Sequence, residues 1–162
     1  MSDLTQFLRL FHPYPGNKYL QVTTKPDEIT STLCEILKGV NGQLSLVIYD
    51  KQNYSSQFPD AKIQNLQNFQ DTFRVIPREF DMVIFKDIFH LLENKKMILK
   101  IAYTALANTA HIIIMEKKGV MDIGLIKAML EDYEFRASNA IDVLDDYDLI
   151  MAKKMHMWGN GL

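Results

Sequence analysis

The amino-acid sequence predicts an α/β fold, in which a mostly parallel β-sheet carries helices on both faces. Two unbroken apolar runs, Met82 to Phe85 and Ile112 to Met115, are the main evidence. Runs of this kind are typical of strands buried on both faces in the middle of a parallel sheet. A helical pattern follows each run, and two strand-like segments close the chain. We expect one domain over residues 1–162, with residues 1–16 forming an N-terminal helix and loop.

The first half of the chain alternates strand and helix patterns. Leu4, Phe7, Leu8 and Phe11 have the spacing of a short N-terminal helix over residues 2–12. Further along, a helix is expected to start at a cap on Thr24 or Lys25, with Pro26 in its first turn, and to end at Gly39. Three strands are predicted in this half, the last of them weakly: Tyr19–Thr23, Leu44–Tyr49 and Lys62–Leu66.

The second half of the chain predicts four strands and two helices. Residues 68–79 form a connection, with room for a short helix before Pro77. Asn108 is expected to end the helix that precedes the second apolar run. In chain order, the predicted elements are a strand at 81–86, a helix at 94–107, a strand at 111–116, a helix at 121–132, and a terminal hairpin of strands 135–144 and 147–157.

Composition and charge limit the kinds of molecule that the protein is expected to bind and the compartment in which it is expected to lie. The formal net charge is -2 and no run of Lys or Arg exceeds two residues, so neither nucleic acid nor an anionic membrane is expected. The single cysteine, Cys34, lies in an apolar helical pattern that favours a small buried residue over a nucleophile. No apolar segment approaches the length of a signal-peptide core or a membrane span. We therefore expect a protein of the reducing cytoplasm.

Residues 80–92 form the most specific pattern in the chain. Asp81 opens the apolar run, Lys86 and Asp87 follow it, and His90 begins a helical pattern. This order is similar to the fourth-strand motif of the class I S-adenosylmethionine-dependent methyltransferases. The resemblance implies a Rossmann-like sheet of seven strands, whose last strand is antiparallel and is inserted by a C-terminal hairpin.

The resemblance spans roughly residues 18–157 and is sharp only over residues 80–116. The helix and strand after the motif match the family's next unit, although Asn108-Thr109-Ala110 replaces its usual Pro-Gly-Gly turn. Outside these residues the resemblance depends on the order of the elements.

The first loop departs from the family pattern. The family ends its first strand with an acidic residue and then a glycine-rich turn, where the backbone passes close to the cofactor. Here Gln21 stands at the acid's position, and Thr23, Lys25 and Asp27 stand at the glycine positions. Side chains there crowd a bound cofactor, and left-handed backbone conformations become costly. Asp27 and Glu28 also place negative charge at the helix N-terminus, where it disfavours an anionic group.

Some polar residues still occupy positions expected of a cofactor site. Asp50 follows the second strand, where the family places an acid on the cofactor ribose, although a polar residue there also simply ends a strand. Should the chain bind S-adenosylmethionine, Thr23, Asp50, Lys86 and Asp87 are the expected contacts. His90 near an acid is a candidate general base, and capping of the next helix is the simpler role. No catalytic residue is assigned, and the scattered histidines predict no metal site.

Two functions remain open from the sequence. In the first, a methyltransferase-like protein has lost cofactor binding and acts as a homodimer or with a protein partner. In the second, an active S-adenosylmethionine-dependent methyltransferase uses an atypical loop. For the first, we expect an interface of about 1,000 Å² or more on one of two apolar segments. One segment contains Phe7 and Phe11, and the other contains Met155, Met157 and Trp158.

Overall fold

A computed structural model describes residues 4–155. Within this range the strands are β1 Lys18–Thr23, β2 Gln43–Ile48, β3 Lys62–Asn65, β4 Phe80–Lys86, β5 Leu106–Lys117, β6 Phe135–Ala140 and β7 Tyr147–Lys154. The helices are α1 Thr5–Leu8, α2 Glu28–Lys38, α3 Lys95–Ala105 and α4 Ile123–Asp132, with a 3-10 turn at Phe89–Leu91.

The seven strands form one sheet in the order β3-β2-β1-β4-β5-β7-β6. Strands β1 to β5 run parallel to one another, whereas β7 is antiparallel to both β5 and β6. From β1 the chain proceeds outward to β3, and from β4 it proceeds outward in the opposite direction. The order therefore reverses between β1 and β4, which makes this boundary the topological switch point of the sheet.

The two apolar runs are adjacent parallel strands at the centre, as predicted. Val83 pairs with Ile112 and Phe85 pairs with Ile114. All four of these side chains, and that of Ile113, are fully buried. Their burial requires cover on both faces of the sheet, because successive side chains of a strand point to opposite sides.

Each face of the sheet has its own core. Helices α3 and α4 cover one face, where Leu99 and Leu130 are fully buried. On the other face lie α2 and the N-terminal segment. Phe7 and Phe11 are 0% and 5% exposed and pack edge to face at 5.0 Å. Of the two segments considered for an interface, this one therefore offers no uncovered phenylalanine, because Phe7 and Phe11 complete the core over the sheet.

Helix α2 begins later than predicted. Asp27, not Thr24 or Lys25, is the N-cap residue, and its Oδ1 accepts a hydrogen bond from the backbone N–H of Ile29 at 3.0 Å. The Thr30 hydroxyl accepts in return from the backbone N–H of Asp27 at 3.1 Å, which completes a capping box. Pro26 therefore precedes the helix and does not lie in its first turn.

The α3–β5 boundary also differs from the prediction. Helix α3 ends at Ala105 and β5 begins at Leu106, which is fully buried and pairs with Phe80. The pairing is irregular before Met82, and Thr109 there has φ +69°, so Thr109, and not Asn108, adopts the left-handed conformation. Apolar periodicity could not locate this boundary, because residues on both sides of it are buried.

Smaller differences concern the connections. The described residues 68–79 contain no helix. Strand β6 ends at Ala140, and Leu144 instead folds into the core with 3% exposure. Strand β7 ends at Lys154, whereas the predicted end at Met157 lies outside the described residues.

Candidate functional site

The candidate site lies at the carboxyl ends of β1 and β4, where open α/β sheets bind their ligands. β1 ends at Thr23 and β4 ends at Lys86, and these two residues are partners in the sheet. The N-terminus of α2 and the start of antiparallel β7 reach the same edge. They add Asp27 and Tyr147 to the site.

The Lys86 side chain occupies the centre of this crevice. It is 3% exposed, and its Nζ lies 2.6 Å from Oδ2 of Asp27 and 2.6 Å from Oδ2 of Asp87. Nζ also donates to the Tyr147 hydroxyl at 3.1 Å, and that hydroxyl donates to Asp87 Oδ2 at 2.7 Å. An ammonium group has three protons, so these three acceptors satisfy it completely.

Hydrogen bonds extend this cluster into the core under α2. The Thr30 hydroxyl, which accepts from Asp27, donates to Oε1 of Gln21 at 2.7 Å. Gln21 is fully buried, and its Nε2 has no hydrogen-bond partner within the described chain. The residue at the family's acidic position is therefore an internal support for the helix cap.

Hydrogen bonds keep the Lys86 side chain protonated. Burial alone would lower the pKa of Lys86, but the hydrogen bonds with Asp27, Asp87 and Tyr147 outweigh it and raise that pKa above the ordinary lysine value. Burial also raises the pKa of the Tyr147 hydroxyl, and its hydrogen bond to Asp87 acts in the same direction. Lys86 is therefore a fixed cation at neutral pH and is unsuited to act as a base or a nucleophile.

The turn between β1 and α2 contains no glycine. Thr23 is 1% exposed, and its hydroxyl points back to the carbonyl of Lys25 at 3.5 Å. Asp27 then caps the helix and holds Lys86. Since side chains fill both the turn and the crevice, these residues do not fit a cofactor that needs close backbone approach.

Asp50 is partly exposed and lies two residues beyond the end of β2, at the same carboxyl edge of the sheet, and the preceding Tyr49 donates its backbone N–H to the carbonyl of Thr23 at 3.0 Å. Its Oδ2 accepts from the Tyr54 hydroxyl at 3.3 Å, and its Oδ1 accepts from the backbone N–H of Gln52, also at 3.3 Å. Both bonds are local and long. All four predicted cofactor contacts therefore lie at the carboxyl edge of the sheet, where Lys86 and Asp87 form an ion pair and Asp50 is hydrogen-bonded within its own loop.

His90 pairs with a residue that the sequence did not single out. Its Nδ1 lies 2.7 Å from Oε2 of Glu116, which ends the buried part of β5. The acid expected beside His90 was Asp87, but that side chain bonds Lys86 and Tyr147 instead. Glu116 and Tyr147 were missed because each is distant in sequence, and only the pairing of β5 with its neighbours brings them to this edge.

Three concavities in the described chain lie away from this cluster. The first, of about 590 Å³, lies beside the C-terminal half of α2 and the amino end of β2. The others, of about 320 and 290 Å³, lie against β1–β3 and at the amino ends of β4 and β5.

Among residues 4–155, no group of three His, Cys, Asp or Glu side chains could hold a metal ion. Within the same range, no helix has the length and apolar character needed to cross a membrane.

Known proteins resemble this chain in structure only. No protein-family model matches the sequence, and no curated protein matches it. A crystal structure of an S-adenosylmethionine-dependent methyltransferase from Aquifex aeolicus is similar with a TM-score of 0.78 and 17% identity, over 95% of this chain and 90% of that one. A TehB-like methyltransferase from Corynebacterium glutamicum has a TM-score of 0.73 and 16% identity, over 94% and 89%.

A third similar structure is a methyltransferase–activator complex from Haloferax volcanii. Its TM-score is 0.71 at 11% identity, over 93% of this chain and 87% of that one. Together with the sheet order and the C-terminal antiparallel pair, these likenesses show that the chain has the class I methyltransferase-like, Rossmann-like fold.

Proposed function

We propose that this chain is a methyltransferase-like protein that has lost S-adenosylmethionine binding and acts through contacts with other proteins. The observation that carries this proposal is the ion pair between Asp27 and Lys86, at 2.6 Å. It spans the switch point between β1 and β4, where a sheet of this topology binds a ligand.

Charge supports the proposal. The ammonium of Lys86 is held in the crevice by the carboxylates of Asp27 and Asp87, each at 2.6 Å. A cofactor that entered the crevice would have to displace this set of charged hydrogen bonds. Asp27 and Asp87 would also have to leave Lys86 to contact the cofactor, and that would leave a buried ammonium without its partners.

Shape supports it as well. The β1–α2 turn carries side chains at Thr23, Lys25 and Asp27, so its backbone is held away from the crevice. Removing one of these side chains would not be sufficient, because Asp27 also caps α2 and Thr23 is buried against the sheet.

The alternative is an active S-adenosylmethionine-dependent methyltransferase with an atypical loop. One observation favours it: Asp50 keeps a partly exposed carboxylate at the end of β2, able to accept hydrogen bonds from ribose hydroxyls. Its present bonds to Tyr54 and Gln52 are long enough to exchange for others. A charged hydrogen bond contributes about 1.5–3 kcal/mol, which is too little to give tight binding alone.

Isothermal titration calorimetry with S-adenosylmethionine and S-adenosylhomocysteine tests the two functions. We expect a Kd weaker than about 1 mM for the wild-type chain. Low-micromolar binding that is lost in Asp50→Ala but kept in the matched control Asp60→Ala would establish the alternative. Tight binding that Asp50→Ala does not change would also contradict the proposal that cofactor binding has been lost. It would mean that the cofactor binds at a site that does not include Asp50.

The contacts themselves remain to be assigned to a surface. Burial of Phe7 and Phe11 removes the N-terminal candidate, whereas Met155 is 37% exposed at the end of the described chain. The Haloferax volcanii complex offers a precedent for a methyltransferase fold that binds an activator. Light scattering at high concentration tests the homodimer, which a strict monomer would exclude, and a pull-down then tests a different partner.

A further inference from the structure

The amino-end concavity is the opening of about 290 Å³ between β4, β5 and the N-terminal segment, at the edge of the sheet opposite the switch point. It lies where the two strands lose their register. Between the pairs Phe80–Leu106 and Met82–His111, β4 has one residue, Asp81, whereas β5 has four. This bulge interrupts the ladder beside Asp81 and makes room for the concavity. Since the Lys86 cluster lies at the other edge, the concavity is independent of the proposed function.

The loop between α1 and β1 forms the opposite wall. Asn17 holds this loop in a tight turn, because its Oδ1 accepts the backbone N–H of Tyr14 at 2.8 Å and its own backbone N–H donates to the carbonyl of Tyr14 at 3.0 Å. Pro13 and Pro15 restrict the backbone on either side of Tyr14. The Tyr14 side chain lines the concavity and is 73% exposed, so an aromatic ring is held at the rim.

A buried hydroxyl group belongs to the same lining. Tyr19 is 3% exposed, and its ring centroid lies 5.8 Å from that of Phe11. Within the described chain, no group forms a hydrogen bond with the Tyr19 hydroxyl. Burial and the negative charge of Asp81 raise the pKa of Tyr19 to about 12, so the hydroxyl stays protonated at neutral pH. A buried hydroxyl without a partner is unfavourable, which makes this one available to a ligand.

The charge of the lining is negative. Of the described residues that line the concavity, Asp81 alone carries a permanent charge. Its Oδ2 accepts the backbone N–H of Lys18 at 2.9 Å, whereas its Oδ1 has no hydrogen-bond partner among residues 4–155. The Lys18 ammonium group lies 3.9 Å from Glu79. Burial and the charge of Lys153 lower the pKa of His111, so its ring is neutral at neutral pH and has one acceptor nitrogen.

We propose that the amino-end concavity binds a small organic ammonium ion with an aromatic or aliphatic body. The ammonium group has three protons to donate, and Asp81, Tyr19 and His111 each offer an acceptor. The body contacts the two methionines of the lining, and the Tyr14 ring at the rim attracts the cation. The volume is at the small end of the roughly 300–1,000 Å³ of ligand pockets, which suits a ligand with a single ring.

A titration followed by two-dimensional amide NMR at neutral pH tests the site on the wild-type chain. The three probes share one ring and differ in charge: benzylamine is a cation, benzyl alcohol is neutral and benzoate is an anion. Benzylamine should bind with a Kd of about 1 mM or tighter, at least about tenfold more tightly than benzyl alcohol. Benzoate should not bind, because Asp81 repels it. The amide signals that move should belong to residues 14–19 and 107–111.

Two variants test the individual groups. Asp81→Asn keeps an acceptor for the Lys18 backbone but removes the charge, so it should weaken benzylamine binding about tenfold and leave benzyl alcohol unchanged. Tyr19→Phe removes only the unpaired hydroxyl and should weaken benzylamine binding about three- to tenfold. The matched control is Asp142→Asn, whose side chain is 89% exposed and outside the lining, and it should change nothing.

Three results would overturn the proposal. The first is that no amide signal of residues 107–111 moves in the wild-type chain at roughly 10 mM benzylamine. The second is equal binding of benzylamine and benzyl alcohol, which would mean that the concavity does not select a cation. The third is benzylamine binding that neither Asp81→Asn nor Tyr19→Phe weakens. Since the first two results come from the wild-type chain, a variant that fails to fold does not prevent the test.

Discussion

Replacing Lys86 with methionine removes the charge at the switch point and keeps a side chain of similar length. In the wild-type chain, Nζ of Lys86 satisfies Asp27, Asp87 and Tyr147 at once. In Lys86→Met, two carboxylates face each other without a cation, and the Tyr147 hydroxyl loses one partner. We expect the chain to fold with a lower free energy of unfolding.

The magnitude follows from the burial of the three groups. Removing one member of a buried ion pair costs about 3–5 kcal/mol, because the other charge is left unpaired. Lys86 is 3% exposed, but Asp27 and Asp87 are 34% and 26% exposed, so water can hydrate the carboxylates. We therefore expect the low end, about 3 kcal/mol. For a chain of this size the loss corresponds to a fall in Tm of about 6–12 °C.

Urea unfolding at neutral pH measures the loss, with Lys100→Met on the exposed side of α3 as a matched control. The control should stay within about 0.5 kcal/mol of the wild type. Because the pKa of Lys86 is raised in the folded chain, its contribution is fully present below the ordinary lysine value of about 10.4. The difference from wild type should thus be constant from about pH 6 to 9 and should shrink as pH rises above that value.

A loss below about 1 kcal/mol, the range of solvent-exposed pairs, would refute this reasoning. Asp27→Asn is a more specific test of the ion pair, since asparagine keeps the helix cap but removes the charge. Combined with Lys86→Met in a double-mutant cycle, it isolates the ion pair from the cap. Additive effects of the two substitutions would mean that the contact contributes nothing to stability.

Two further predictions concern the hydrophobic core and the pair formed by His90 and Glu116. Ile113→Asp buries an unpaired charge in the central strand β5 and should lower the free energy of unfolding by at least about 4 kcal/mol. The control Ile113→Val should lower it by about 0.5–1.5 kcal/mol. Equal thermal melts of the two variants would contradict the fold. Glu116 has a raised folded pKa, so its contribution is complete below about pH 4.3 and is lost as pH rises through the folded pKa. Unfolding measured from pH 4 to 7 should therefore show the wild type losing stability relative to Glu116→Gln, and parallel pH profiles would argue against a raised pKa.

Hydrophobic pattern alone determined much of the fold. The runs at 82–85 and 112–115 could be satisfied only as neighbouring buried strands under helices, and the order of the elements then allowed few topologies. The same signal failed at Leu106, since a buried residue ends the helix pattern and begins the strand pattern equally well. It also left open whether Phe7 and Phe11 are covered, because apolar periodicity identifies a helical face but does not say whether the fold covers it.

In the candidate site, too, some features follow from the sequence alone and others depend on the tertiary structure. The absence of glycine in the β1–α2 turn and the polar pair Lys86-Asp87 after β4 are local features, and the sequence alone revealed them. Only the tertiary structure decided that Asp27, 59 residues before Lys86, would hold its ammonium, and that Glu116, 26 residues beyond His90, would orient its ring. Parallel strands bring their carboxyl ends to one edge whatever their separation along the chain, so the partners of a charged side chain there are set by strand order and register.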